Sequence, residues 1–329
     1  MNKNKTINKI FEYIKINSNV SPSTLVDKFS LGRAMIHRHL NKLQEKGLIF
    51  KTGVSPKVFY SIQNKTPLLN NIDIANLINN KDKKIIQKNF FFVNVDGTIL
   101  KGINGFVAWC QDGDFDIKKK TKEYVNIIKK YDKFKNGKLI NGIQKIKTTF
   151  QNVYVDKIYF VDFYAIEIFG KTKLGQMLLY AKQGQNRKMM KELILEIKSK
   201  IENLIKKEKI NAVGFVSPSL KREIQFMKVL EKELNFPLPI ISILKTRADI
   251  IVPQKTLSKL EDRIKNAQKT FVVNENRSWD TILLIDDAIG SGATINELAY
   301  KIKKQKIAKK VYGFAITGSL KWFDVISEV

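Results

Sequence analysis

The sequence predicts a multidomain α/β chain: a winged helix-turn-helix over residues 1–65, an α+β middle region over 66–155, and a parallel α/β sheet domain over 156–329. Three observations carry this. Thr281–Ile285 is a continuous apolar run of the length of a buried parallel strand, and similar runs recur at Ala212–Val216, Pro239–Leu244 and Val311–Ile316. The first 45 residues instead carry apolar positions at helical spacing, closed by two β-rich runs. Between these ends the pattern switches repeatedly from one period to the other.

In the first segment Ile7, Ile10, Phe11 and Ile14 form the stripe of helix one. Ser21 caps a second helix with Pro22 at its first position, and that helix buries Leu25 and Phe29. Ser30 is the expected cap of a third helix whose inward face is Ile36, Leu40 and Leu43, with Gly47 as its stop. Leu48–Lys51 and Val58–Ile62 then make a hairpin through Gly53 and Pro56. With the apolar face of helix three inward, Arg33, His37, Arg38 and Asn41 face outward. Arg and Asn are the side chains that read guanine and adenine edges in the major groove. Lys42, Lys51 and Lys57 suit phosphates. Double-stranded DNA is therefore an expected partner. Winged-helix regulators read paired half-sites, which implies a homodimer. His37 and His39, two apart on a helix, do not share a face and make no metal site.

The middle region is less informative. Residues 66–88 read as a polar linker with a short helix at 68–75, and Phe90–Leu100 as a hairpin around the two-residue Asp96-Gly97 turn. Gly105–Trp109 and Tyr124–Phe134 look helical, while 138–155 fits no period. The stretch has no acid pair, metal spacing or glycine loop.

The run Thr281–Ile285 ends in Asp286 and Asp287, then Ala288-Ile289-Gly290-Ser291-Gly292-Ala293-Thr294 opens a helix. Ligands of open α/β sheets sit beyond the carboxyl ends of such strands. Glycines let backbone N–H groups converge, and a helix start offers unpaired N–H groups at the positive end of its dipole. Ser291 and Thr294 can add hydroxyl donors. A phosphate cradle beside two carboxylates suits the vicinal hydroxyls and 5′-phosphate of a ribose. A phosphoacceptor receiver domain also pairs acids, but near its beginning, whereas these lie near the end of the chain.

Leu283–Ile295 resembles the phosphoribosyl-pyrophosphate (PRPP) motif of type I phosphoribosyltransferases, and residues 158–320 resemble the competence-protein ComF branch of that family. Gly170–Lys182 is similar to the family's opening helix. Ser217, Pro218, Ser219, Lys221 and Arg222 match its pyrophosphate loop, and Arg247, Gln254, Arg263 and Asn266 match its hood. The resemblance implies a phosphoribosyltransferase-type parallel sheet. It also implies that Asp286 and Asp287 bind the ribose hydroxyls, that Gly290–Thr294 wrap the 5′-phosphate, and that Lys221 and Arg222 face pyrophosphate. Arg263 would close over the site. Mg²⁺ would arrive on PRPP rather than in a protein cage. Two features depart from the family: the first loop position is Gly290, which supplies no side-chain base, and no cysteine cluster precedes the fold. These favour sensing over turnover and argue against a DNA-uptake role.

Composition bounds the rest. Hydrophobic content of 43% with no apolar run of membrane-spanning length predicts a globular protein without a membrane partner. One cysteine, Cys110, excludes an intrachain disulfide and a cysteine-based zinc site and fits a cytoplasmic location. The net charge of +28 invites a polyanion, but 52 of the 59 basic residues are lysine, so it supports a nucleic-acid partner without proving one. The expected function is a DNA-binding regulator modulated by PRPP or a nucleotide. The alternatives are an active phosphoribosyltransferase with an accessory winged helix and, third, a competence-type accessory of DNA uptake.

Overall fold

The computed structural model describes residues 3–17, 19–46, 48–54, 57–62, 77–136, 139–218, 220, 222–246, 252 and 256–319. The chain forms two compact units that divide between residues 68 and 69.

The first unit comprises α1 (Lys3–Asn17), α2 (Pro22–Phe29), α3 (Arg33–Glu45) and the antiparallel hairpin of β1 (Ile49–Val54) and β2 (Lys57–Ile62). Ile10 and Ile14 of α1, Leu25 of α2, Ile36, Leu40 and Leu43 of α3, and Ile49 and Tyr60 of the hairpin close one core. Ser21 caps α2 by accepting the Thr24 N–H at 3.1 Å. Ser30 does not cap α3. It takes a left-handed conformation, φ 49°, and ends α2, while Gly32 precedes α3 with no side-chain cap. Two further residues separate Ser30 from α3, too many for its hydroxyl to meet the first-turn amides. Gly53 holds φ +80° at the hairpin bend. Gly47, Pro56 and the helix expected at 68–75 lie outside the described residues.

The second unit begins with α4 (Asn80–Asn89), β3 (Phe91–Val93), β4 (Ile99–Lys101), α5 (Gly102–Asp112) and α6 (Ile117–Asp132). It continues through β5 (Lys135–Asn136), β6 (Leu139–Asn141), α7 (Ile143–Thr149), β7 (Lys157–Phe163), β8 (Ala165–Ile166) and β9 (Gly170–Lys171). Next come α8 (Lys173–Lys182), α9 (Arg187–Glu208), β10 (Ala212–Phe215), α10 (Phe226–Leu234), β11 (Ser242–Lys245), α11 (Leu260–Thr270) and β12 (Phe271–Asn274). It closes with β13 (Trp279–Ile289), α12 (Ala293–Lys304) and β14 (Ala308–Gly318). The central sheet has the order β10-β13-β14-β7-β6-β5. The first four strands run parallel; β6 then adds antiparallel to β7, and β5 antiparallel to β6.

Alternation along β13 explains the layering. Ile282 and Leu284 enter a core that includes Ile295, Leu298 and Ile302 of α12 and Phe106 and Tyr124 of α5 and α6. Leu283 and Ile285 enter the opposite core with Met177 of α8, Leu193 and Ile197 of α9 and Leu230 of α10. A strand buried on both faces reads as one continuous apolar run, which is what Thr281–Ile285 is. Residues 77–155 contribute to the first of these cores and place β5 and β6 in the same sheet.

Three local readings change. The strand does not stop at Ile285, because β14 remains paired with it up to Ile289 opposite Gly318. The run 239–244 splits: Ile240 forms a parallel bridge with Val213, whose N–H donates to the Pro239 carbonyl and whose carbonyl accepts the Ile241 N–H, whereas Ser242–Lys245 turns to pair antiparallel with β12. The β3–β4 connection uses five residues, Asn94 to Thr98, rather than two, with Gly97 at φ +82° after a turn closed from the Gly97 N–H to the Asn94 carbonyl at 2.9 Å. Cys110 is buried, and burial pushes its thiol up to about 12.

Candidate functional site

Asp286 and Asp287 project from the carboxyl end of β13 to opposite faces of the sheet, as neighbours on a strand must. Asp287 shares the face of Leu283 and Ile285, where α8 packs. There Lys182, the last residue of α8, reaches its Oδ2 at 2.5 Å. Asp286 bonds the Asp287 N–H through its Oδ1 at 2.8 Å. Its carboxyl is pushed up to about 7, first by burial and then by the neighbouring Asp287 charge, with Lys182 pulling the other way.

Beyond the acids the chain leaves the sheet at Gly290 and enters α12 through Gly292, whose φ is +85°. A Cβ there would lie 2.2 Å from Ile146 Cδ1 of α7, so the conformation favours glycine and any larger residue would have to displace the end of the Ile146 side chain. No side chain caps α12 from Gly292. Ser291 Oγ accepts the Ala293 N–H at 3.3 Å. The N–H groups of Ser291, Gly292, Thr294 and Ile295 donate to no group among the described residues. Unpaired donors at the positive end of a helix dipole form an anion site.

These features share one cleft. It is lined by Asp286, Asp287, Ala288, Ile289, Gly290, Ser291, Gly292, Ala293 and Thr294, by Ser217, Pro218 and Arg222 after β10, and by Arg263 of α11. Lys182, Gln183, Phe226 and Phe271 also line it. Arg263 is oriented by donating from Nε to the Leu257 carbonyl at 2.7 Å. Asn266, one turn further along α11, does not line the cleft; its amide donates to the Val252 carbonyl at 3.5 Å. Ser219, Lys221, Arg247 and Gln254 lie outside the described residues.

Two residues of this site carried no role in the sequence. Lys182 is the counter-ion of Asp287, and its only signal was a lysine ending an apolar-faced helix. Lys145 of α7 donates to the Gly290 carbonyl at 2.7 Å and to the Ser319 carbonyl, from a stretch without any period. The helix behind the loop is tied to the same region: the buried Asn296 side chain accepts the Tyr154 N–H at 2.8 Å and donates to the Asn152 carbonyl at 2.9 Å.

No group of three or more Asp, Glu, His or Cys able to hold a metal occurs among the described residues. With Asp287 already paired to Lys182, the donors here suit a cation delivered by an anionic ligand better than a protein-held one.

In the first unit Arg33, His37, Arg38, Asn41 and Lys42 are all exposed on α3, and Lys51 and Lys57 are exposed on the hairpin. His39 is buried on the other face, and burial, then Lys42 and Arg38, lower its pKa.

Fold and site together define a layered α/β protein with an acid pair and a glycine loop at the carboxyl end of a parallel strand. No family model and no curated protein matches the chain. Among solved structures it is similar to a crystal structure of adenine phosphoribosyltransferase, at 15% identity over 40% of this chain and 72% of that one, with a TM-score of 0.27. No helix among the described residues is long and apolar enough to cross a membrane.

Proposed function

We propose that the cleft of the second unit binds PRPP or a nucleotide, and that the first unit is a winged helix-turn-helix on double-stranded DNA whose affinity this ligand modulates. The observation that carries the ligand reading is the pairing, in one cleft, of two carboxylates with the uncapped start of α12 and two arginines. Vicinal ribose hydroxyls donate to Asp286 and Asp287. The amides around Ser291–Ile295 take the 5′-phosphate, Arg222 takes the pyrophosphate, and Arg263 covers it. Mg²⁺ comes with the phosphates and neutralises their charge when bound. Supporting the DNA reading are the exposed Arg33, His37, Arg38 and Asn41 on α3 and the exposed lysines of the hairpin. A homodimer would let two such helices read paired half-sites. If ligand changes DNA affinity, DNA changes ligand affinity by the same factor, usually about 1–3 kcal/mol.

The test is calorimetric titration of the full chain with PRPP and Mg²⁺, alongside Asp286→Asn/Asp287→Asn. Micromolar binding that the double variant loses supports the site; no binding at millimolar PRPP removes it. Operator DNA obtained by in vitro selection then tests the coupling, and an operator affinity indifferent to ligand ends the regulator reading.

The presence of Arg222 and Arg263 beside the acid pair favours one second reading, an active phosphoribosyltransferase. A base nitrogen would then displace pyrophosphate from C1 of PRPP, with the chain positioning both reactants. Gly290 offers no side-chain base, so the incoming nitrogen would release its proton to solvent or to the leaving pyrophosphate. Pyrophosphate release with individual nucleobases distinguishes enzyme from sensor.

A further inference from the structure

The short helix α7 supports the phosphate loop at two adjacent residues. Ile146 fills the space beside Gly292, and the Lys145 ammonium binds the carbonyls of Gly290 and Ser319. Gly290 follows the end of β13 and Ser319 follows the end of β14, so one cation ties the two parallel strands together where the cleft opens. The bond to Gly290 has a directional consequence. A trans peptide is planar, and its C=O and N–H point opposite ways. Drawing the Gly290 carbonyl toward Lys145 therefore turns the Ser291 N–H, the other half of that peptide, away from Lys145. Gly290 and Ser291 both line the cleft, and the Ser291 N–H has no acceptor among the described residues.

We infer that Lys145 is a positioning residue for the phosphate end of the cleft: it aims the Ser291 amide at the ligand's 5′-phosphate and adds a fixed positive charge behind the loop. This rests on the PRPP-or-nucleotide reading above. It gives the middle of the chain a part in the site, through a residue far from the motif in sequence. Without the ammonium the Gly290–Ser291 peptide loses the bond that fixes its orientation, and a donor that must be in place before the anion arrives is no longer held.

The position of Lys145 makes the inference testable, because Arg222 belongs to a different loop of the same cleft. Full-length protein carrying Lys145→Met or Lys145→Arg is compared with wild type for PRPP binding in the presence of Mg²⁺. Ribose 5-phosphate and inorganic pyrophosphate serve as separate competitors, and the melting temperature of each variant is recorded. In Lys145→Met the inhibition constant of ribose 5-phosphate rises about tenfold, as for loss of one amide contact to a charged group, and that of pyrophosphate stays within about twofold. Lys145→Arg, which keeps a donor and the charge, restores ribose 5-phosphate competition to within about threefold of wild type. Equal weakening of both competitors marks a general structural loss and overturns the inference, as does no change in either. Wild type that fails to bind PRPP removes the underlying ligand reading itself, a result distinct from either of these.

Discussion

Lys182 Nζ lies 2.5 Å from Asp287 Oδ2 and is the one cation paired with the acid pair among the described residues. Asp286, on the other face of β13, has no such partner among the described residues. The two neighbouring carboxyls therefore meet unequal surroundings: Asp287 has a counter-ion at hand, whereas burial and the adjacent Asp287 charge push the Asp286 carboxyl up.

That inequality predicts a pH dependence. The Asp286 carboxyl sits at about 7 in the folded chain, against about 4 when unfolded. Between those values the native state binds more protons than the unfolded state, so this group's contribution to stability falls as pH rises from about 4 to about 7, by on the order of 2–4 kcal/mol. Asp286→Asn removes this titrating group. Its stability relative to wild type, measured by urea denaturation, should improve between about pH 5 and about pH 8. A difference that is the same at both pH values contradicts the assignment.

Gly292 supplies a second prediction. Its φ of +85° costs any L-residue about 1–2 kcal/mol, and a methyl group would meet Ile146 Cδ1. Gly292→Ala should destabilise the second unit by about 2–4 kcal/mol. Ile146→Ala is itself destabilising, since Ile146 is fully buried. The double variant should nevertheless lose less than the sum, with a coupling of about 1 kcal/mol or more in denaturant midpoints. Strict additivity would mean that α7 does not press on the loop.

What the sequence made legible was local chemistry. The acid pair, the glycine loop and the apolar run before them are contiguous, so their use can be read from neighbours alone. Ser21-Pro22 was legible for the same reason. Features set by distant partners were not: β13 runs on to Ile289 because β14 accompanies it, and 239–244 divides because β12 draws part of it away. Lys145 was out of reach for a stronger reason. It lies on a helix of seven residues, too short to show a period, and its acceptors are 145 and 174 positions along the chain. Ser30 misled because a serine before a helical run looks like a cap, whether it starts the next helix or ends the previous one.

Asn296 fixes the helix that carries the unpaired amides. Its buried side chain satisfies the Tyr154 N–H and the Asn152 carbonyl together. Asn296→Ala strands both groups and should cost about 2–3 kcal/mol. Asn296→Asp keeps the acceptor for Tyr154 but sets a carboxylate oxygen against the Asn152 carbonyl, so at neutral pH it should be no more stable than the alanine variant. Thermal melting of the two variants checks the order, and an aspartate variant close to wild type would show that the Asn152 contact contributes nothing.

The DNA reading separates by residue type. Arg38 and Asn41 are exposed on α3 and are offered to base edges, whereas Lys57 is exposed on the hairpin and is offered to phosphate. Arg38→Ala should weaken binding to a selected operator by about 1–3 kcal/mol while changing affinity for unrelated duplex much less. Lys57→Ala should weaken both alike and reduce the slope of log affinity against log salt by about 1, the signature of one lost phosphate contact. Fluorescence anisotropy at several salt concentrations measures both quantities. If the two variants behave identically on operator and random DNA, α3 reads no bases; if wild type binds neither duplex, the exposed face of the first unit serves a protein partner instead.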